Sequence, residues 1–280
     1  MAIKIITDST CDIRIKDCER MGVSLVPLRV TIDNVTYLDK FELSCEEFYE
    51  KLASAQEIPV TTLAGPQDFF DKFMEYPDDD IICITVASKL SGTYQSAVIA
   101  KEETGRDNIY VVDSTSVSLG AGILVETAVE MIRKGHNAVE IAAELGEIAP
   151  KIELYAAVDT LKYLVKGGRL GKASGAVGSL LGIKPILRVK DGVIENIGKE
   201  RGMAKAIAKM KSLVEDNTDY LVNDYPVTFG HSNNESGMES FMAQMSRSGN
   251  RYFIGSVVGT HAGPGAVGIA LPEKFKKIFI

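Results

Sequence analysis

Three segments of this chain set hydroxyl side chains beside glycine at the ends of apolar runs, an arrangement suited to holding a polar or anionic group. SKLSGTYQSA, residues 88–97, follows directly on the apolar run IICITVA. A helix is predicted to open at Ser91. Ser91, Gly92 and Thr93 then lie where backbone N–H groups lack intrahelical partners and the helix dipole favours negative charge. Ser91 also offers a neutral donor. It serves equally as a helix N-cap, and both roles can hold at once. In VTTLAGPQDF, residues 60–69, Thr61 and Thr62 lie in a loop between an extended Pro59-Val60 and a helix begun by Pro66. Capping is their plainer role. Gly259-Thr260-His261 is expected to end an apolar strand and enter a glycine-rich turn that a ligand can approach. Arg169 follows the helix stop Gly167-Gly168. Its guanidinium can reach a carboxylate or phosphate, or the last carbonyls of that helix.

Other chemical patterns fail on spacing. GPGAVG at 263–268 fits G-x-G-x-x-G, but only 12 residues remain after it, too few for the helix, strand and acidic residue of a dinucleotide site. GGRLGK at 167–172 has the wrong spacing for a phosphate loop, with Ala173 where magnesium needs a hydroxyl. His136, His231 and His261 form no pair at metal-ligand spacing, and His136 and His231 read as a surface and a satisfied strand-edge residue. Cys11, Cys18, Cys45 and Cys83 contain no CxxC and read as reduced thiols. There is no G-x-S-x-G elbow. A hydrolase using Ser91 with His261 stays open as an alternative, to be revived by ester turnover.

These residues need a scaffold, and the pattern of the chain supplies one. Strand and helix alternate through the first half: an apolar run at 2–7 stopping at Asp8-Ser9-Thr10, a helix over 13–21, and a strand pair within 23–38 turning at Asp33-Asn34. A capping box, Ser44 with Glu47, opens the next helix. This order predicts a mostly parallel sheet covered on both faces, with ligand sites beyond the C-terminal strand ends. The second half mixes helices with a hairpin turning at Asp191-Gly192, which predicts a mixed sheet. The expected fold is therefore α/β, two tightly packed lobes divided as 1–157 and 158–280. The segment from Ala173 to Gly182 is rich in small residues, which let helix backbones approach one another or an apolar ligand.

The 280 residues suffice for such a fold, and 31 basic against 38 acidic residues give a net charge of −7. That balance argues against nucleic acid. No stretch has the roughly 18 consecutive apolar residues of a membrane span, and no signal peptide is evident, so a cytoplasmic protein is expected.

In combination these motifs closely resemble the DegV family. The resemblance runs over essentially the whole chain through TDST (7–10), TT…GP (61–66), SKLSGTYQSA (88–97), VVDS (111–114), DTLKYLVKGGRLG (159–171), KPIL (184–187) and THAGPGAVG (260–268). It implies a non-catalytic carrier that buries a long-chain fatty acid in a tunnel, needs no other cofactor, and presents the carboxylate to a separate ATP-binding fatty acid kinase subunit. Carried over by position, the carboxylate contacts fall on Thr61 or Thr62 and on Ser91 with the Gly92 amide. His261 and Arg169 would lie close by, and Arg201 would face the kinase. The loop Leu63-Ala64-Gly65 departs from the family's usual Gln-Pro-Ser, and Thr62 replaces a more common serine. A lipid sensor or transporter with no kinase partner is the remaining alternative.

Overall fold

The run Ile3–Asp8 is apolar on both sides, as a central parallel strand must be. In the computed structural model, which describes residues 2–170, 182–217 and 226–272, this run is strand β1 of the first of two α/β lobes. In chain order α1 (Ile15–Met21), β2 (Val23–Val26), β3 (Arg29–Ile32), β4 (Val35–Leu38), α2 (Cys45–Ser54) and β5 (Val60–Thr62) follow. Then come α3 (Pro66–Met74), β6 (Asp80–Thr85), α4 (Thr93–Thr104), β7 (Ile109–Asp113), α5 (Leu119–Arg133) and α6 (Ala138–Ile148). The predicted capping box is present at α2, where Ser44 and Glu47 bond each other's backbone N–H.

The main sheet of this lobe is parallel, in the order β2-β1-β6-β7. Alternate residues serve its two faces. Ile5, Ile82, Ile84 and Val112 pack with α5 and α6. Ile6, Ile81, Cys83 and Ile109 pack with Phe69 and Phe73 of α3 and Ala97 and Ala100 of α4. The chain reverses its direction across the sheet between β1 and β6, the place where such sheets open a crevice. Asp8 staples that point. Its Oδ2 accepts from Val86 N at 2.7 Å, and its Oδ1 accepts from the Thr10 backbone and hydroxyl at 2.9 and 2.6 Å.

The hairpin at Asp33-Asn34 forms as predicted, with both residues at positive φ (45° and 67°). The segment expected to be a loop after it is not one. Val60–Thr62 adds to β3 as an antiparallel strand, with Thr61 opposite Val30 and Thr62 opposite Arg29. The edge of β3 satisfies backbone groups that local sequence leaves unassigned.

The second lobe holds β8 (Ile152–Ala157), α7 (Lys162–Gly167), β9 (Ile183–Lys190), β10 (Val193–Arg201), α8 (Met203–Asn217) and β11 (Thr228–His231). It closes with α9 (Glu235–Gln244), β12 (Asn250–Phe253), α10 (Ser256–Ala262) and β13 (Val267–Pro272). Its sheet is mixed, in the order β10-β9-β8-β13-β11-β12. Because β8 pairs with β9 and β13, the 157/158 division falls at the end of a strand of this sheet. The β9–β10 hairpin turns at Asp191-Gly192, at φ 50° and 69°.

The apolar strand expected to end at Gly259-Thr260-His261 stops earlier, at Phe253, and α10 takes its place. Its β-branched residues favour a strand locally, but its helical start is held from a distance. Gly255 N donates to Asp12 Oδ1 at 2.9 Å, and Ser256 donates to Asp39 Oδ1 from its backbone (3.1 Å) and its hydroxyl (2.6 Å). Most of the small-residue segment, Ala173 to Leu181, lies outside the described residues. Among the described residues no helix is long and apolar enough to cross a membrane.

Candidate functional site

A cavity of about 340 Å³ lies between the lobes, within the usual range for pockets that enclose small ligands. The first lobe contributes its C-terminal strand ends, through Thr10, Val86 and Ser118. The second contributes one face of its mixed sheet, through Leu154, Ala156, Leu187, Val189 and Ile194. Helix α10 completes the wall with Val257, Val258 and Ala262. The lining is mostly hydrocarbon.

Six of the seven residues singled out in the sequence border this one space: Thr61, Thr62, Ser91, Gly92, Arg169 and His261. Each arrives on a different kind of support. The two threonines ride on β5. Ser91 and Gly92 precede α4, whose N-cap is Gly92 and not Ser91; Ser91 Oγ accepts from Thr93 N at 3.3 Å while bordering the cavity. Gly92 is packed by Leu63, whose Cδ2 lies 3.1 Å from where a Cβ would stand. Arg169 spans two segments, donating through Nη1 to Gly167 O and through Nε to Leu90 O at 3.3 Å. Its plainer role at the end of α7 is thus present. Arg201 is the exception. It ends β10, exposed, and does not border the cavity.

His261 lies in α10 and not at the end of a strand. Its Nε2 is 2.9 Å from Thr61 Oγ1. Its Nδ1 is buried without a hydrogen-bond partner, packed against Gly167 so closely that a Cβ there would lie 2.2 Å away. Burial, and then the charge of Arg169, lower its pKa to about 4, so the ring is neutral at pH 7. An orphaned buried N–H is rarer than an orphaned acceptor, which assigns the proton to Nε2. The ring then donates to Thr61 Oγ1, and the threonine hydroxyl proton is free to point at a ligand. Ser91 and His261 are not bonded to each other. Ser91 Oγ is hydrogen-bonded to Thr93 Oγ1 at 2.9 Å, and the imidazole is held by Thr61. A serine–histidine couple is not assembled.

Two polar cavity residues escaped the sequence reading. Thr10 lies in the turn that stops the first apolar run, but its place on the cavity had no local sign. Ser118 takes a left-handed backbone, φ 54°, and its hydroxyl donates to Asp12, a contact across the fold. The other histidines hold local partners. His136 Nδ1 is 3.3 Å from Glu140, and His231 Nδ1 accepts from Asn234 N at 3.2 Å.

Residues 2–274 match the family described as "Uncharacterised protein, DegV family". A DegV domain-containing protein of Caldanaerobacter subterraneus subsp. tengcongensis is 37% identical over 279 residues, covering 97% of this chain and 99% of that one. Among solved structures, a DegV family protein from Thermus thermophilus, described by its fatty acid binding, superposes with a TM-score of 0.89 at 30% identity. The match covers 98% of this chain and 100% of that one. DegV of Bacillus subtilis, described as a fatty acid binding protein, gives 0.85 at 32% identity over 98% and 100% of the two chains. A stearic acid-binding protein from Eubacterium ventriosum gives 0.86 at 26% identity over 98% of each. By sequence and by architecture alike, this chain belongs to the DegV family.

Proposed function

We propose that this chain buries one long-chain fatty acid between its lobes, holds the carboxylate among Thr61, Thr62, Ser91 and Gly92, and presents it to a separate ATP-binding fatty acid kinase subunit. The observation that carries this reading is that one cavity joins a hydrocarbon lining to six hydroxyl, amide, imidazole and cationic positions. The fatty acid binding described for the Thermus thermophilus and Bacillus subtilis proteins supports it. About 14 buried methylenes contribute a gross ~11 kcal/mol, and ordering the chain offsets much of that. The cavity therefore supplies affinity, and the polar positions supply orientation. Hydroxyls and a backbone amide hold a carboxylate without neutralising it, which suits phosphoryl transfer, a reaction governed by positioning and charge. Arg169 and neutral His261 border the head group, and exposed Arg201 is assigned to the kinase-facing surface. The chain is then a cytoplasmic, non-catalytic carrier that needs no cofactor besides its lipid.

Organic extraction of purified protein, followed by mass spectrometry, should release a fatty acid. A chain that yields none, and binds none in titration, refutes the reading. With the kinase subunit, Ser91→Ala should lower acyl-phosphate yield about tenfold, the value of one hydrogen bond to a charged group. Unchanged affinity and turnover would remove Ser91 from the site. Lipid binding without any turnover by the kinase would instead favour a sensor or transporter.

A further inference from the structure

Ala156 occupies a position whose neighbours ought to cover it. It lies in β8, an interior strand of the six-stranded sheet, with β9 on one side and β13 on the other. The other five residues of β8 are buried, and Ala156 alone is partly exposed. It borders the cavity, so the space it is exposed to is the cavity itself. Its cross-strand partners, Leu187 and Gly268, border the cavity too. From β13 to β9 this row therefore runs from no side chain, through a single methyl, to a leucine. A Cβ added at Gly268 would stand 3.5 Å from the Ala156 Cβ. In the next row Ala270 of β13 is small, but Leu154, Val189 and Ile194 on β8, β9 and β10 are bulky. Leu119 covers the glycine side of this row, its Cδ1 3.6 Å from where the Gly268 Cβ would stand, so the trough lies over Ala156, with a raised floor beside it. None of the polar residues proposed for the head group stands on this sheet, and the wall around Ala156, made by Leu154, Leu187 and Gly268, suits hydrocarbon.

We infer that Ala156 gauges the acyl chain: its lone methyl, opposite Gly268, leaves the room that the longer chains occupy. This rests on the reading of the cavity as a fatty-acid site, and it adds which residue decides chain length. A leucine at 156 brings three more carbons into the trough and displaces about three methylenes of the ligand. Each methylene is worth about fourfold in affinity, so acids that reach past Ala156 should bind about 60-fold more weakly. Acids short enough to end before it should be unaffected.

The test is a titration of delipidated protein with saturated fatty acids of increasing length, wild type against Ala156→Leu and Ala156→Val, with thermal unfolding of each. Wild-type affinity should rise with length, while that of Ala156→Leu should stop rising about three carbons earlier. Ala156→Val, with two carbons added, should show the same break with about a 15-fold loss, and it provides the measurement if the leucine variant does not fold. A loss of equal size at every length, or no loss at any length, overturns the gauge while the binding reading stands. A wild-type protein that takes up no acid of any length overturns the binding reading itself.

Discussion

The two faces of the six-stranded sheet are built from alternate residues of the same strands, yet one is sealed and the other is open. On the sealed face, Tyr155, Ile186, Phe229 and Ile269 meet Met210 of α8 and Phe241 of α9. Phe229 and Phe241 pack edge to face with ring centroids 5.7 Å apart. On the open face, Leu154, Ala156, Leu187 and Gly268 look onto the cavity. Residues 155 and 156 are chain neighbours, and only their side of the pleat differs. Large side chains fill the space on one side. Small and aliphatic ones leave it unfilled on the other, where the opposing wall is α10 and the strand ends of the first lobe.

This contrast predicts unequal costs for truncation. Phe229→Ala should destabilise the protein by about 3–5 kcal/mol, because a close-packed core collapses only partly around a lost ring. Leu187→Ala, which already borders empty space, should fall near ~2 kcal/mol, the low end for a buried leucine. Urea unfolding of delipidated protein reads both. Equal losses would mean that the open face is as tightly packed as the sealed one.

The open face should depend on polar clamps where the sealed face depends on packing. Helix α10 is the wall that clamps hold, and Asp39 accepts both the Ser256 N–H and the Ser256 hydroxyl at its start. Asp39→Ala leaves those buried donors unpaired, at a cost of about 1–3 kcal/mol. Because α10 also carries Val257, Val258 and His261 into the site, this variant should lose fatty-acid affinity as well as stability. Phe229→Ala should lose stability with little change in affinity. If the two variants affect binding alike, α10 is not held from its N-terminal end.

What the sequence disclosed follows the same divide. The parallel sheet, the hairpin turns at Asp33-Asn34 and Asp191-Gly192 and the Ser44–Glu47 cap rest on signals within a few residues, and each could be read. The hydroxyls near Ser91 and Thr61 were visible because their residue types are unusual beside apolar runs. Strand β5 and helix α10 were not legible. The first is made by the edge of β3 and the second by Asp12 and Asp39, more than 200 residues away in the chain. Ala156 gave no sign at all, since an alanine in a strand announces neither the space beside it nor the glycine opposite.

The finest separation of packing from site chemistry lies at Gly167. It is the last residue of α7, and a methyl there would overlap His261 Nδ1 at 2.2 Å. Alanine favours a helix over glycine by up to about 1 kcal/mol, which offsets the loss of the bond to Thr61, so Gly167→Ala should leave stability nearly unchanged. The imidazole, however, must swing away from Thr61, and the threonine hydroxyl loses the partner that turns its proton toward the carboxylate. Affinity should fall about tenfold, the worth of one charge-assisted hydrogen bond. The pH response gives an independent reading. In the wild type, burial and then Arg169 hold the His261 pKa near 4, below its usual 6.5. The folded state therefore binds fewer protons than the unfolded chain between these values, and stability falls as pH drops through that window. A ring displaced toward water in Gly167→Ala regains a pKa nearer 6.5, and this part of the acid sensitivity shrinks. Imidazole NMR titration of both proteins follows the ring directly. If Gly167→Ala keeps wild-type affinity and a wild-type titration, the contact between α7 and His261 does not hold the ring in place.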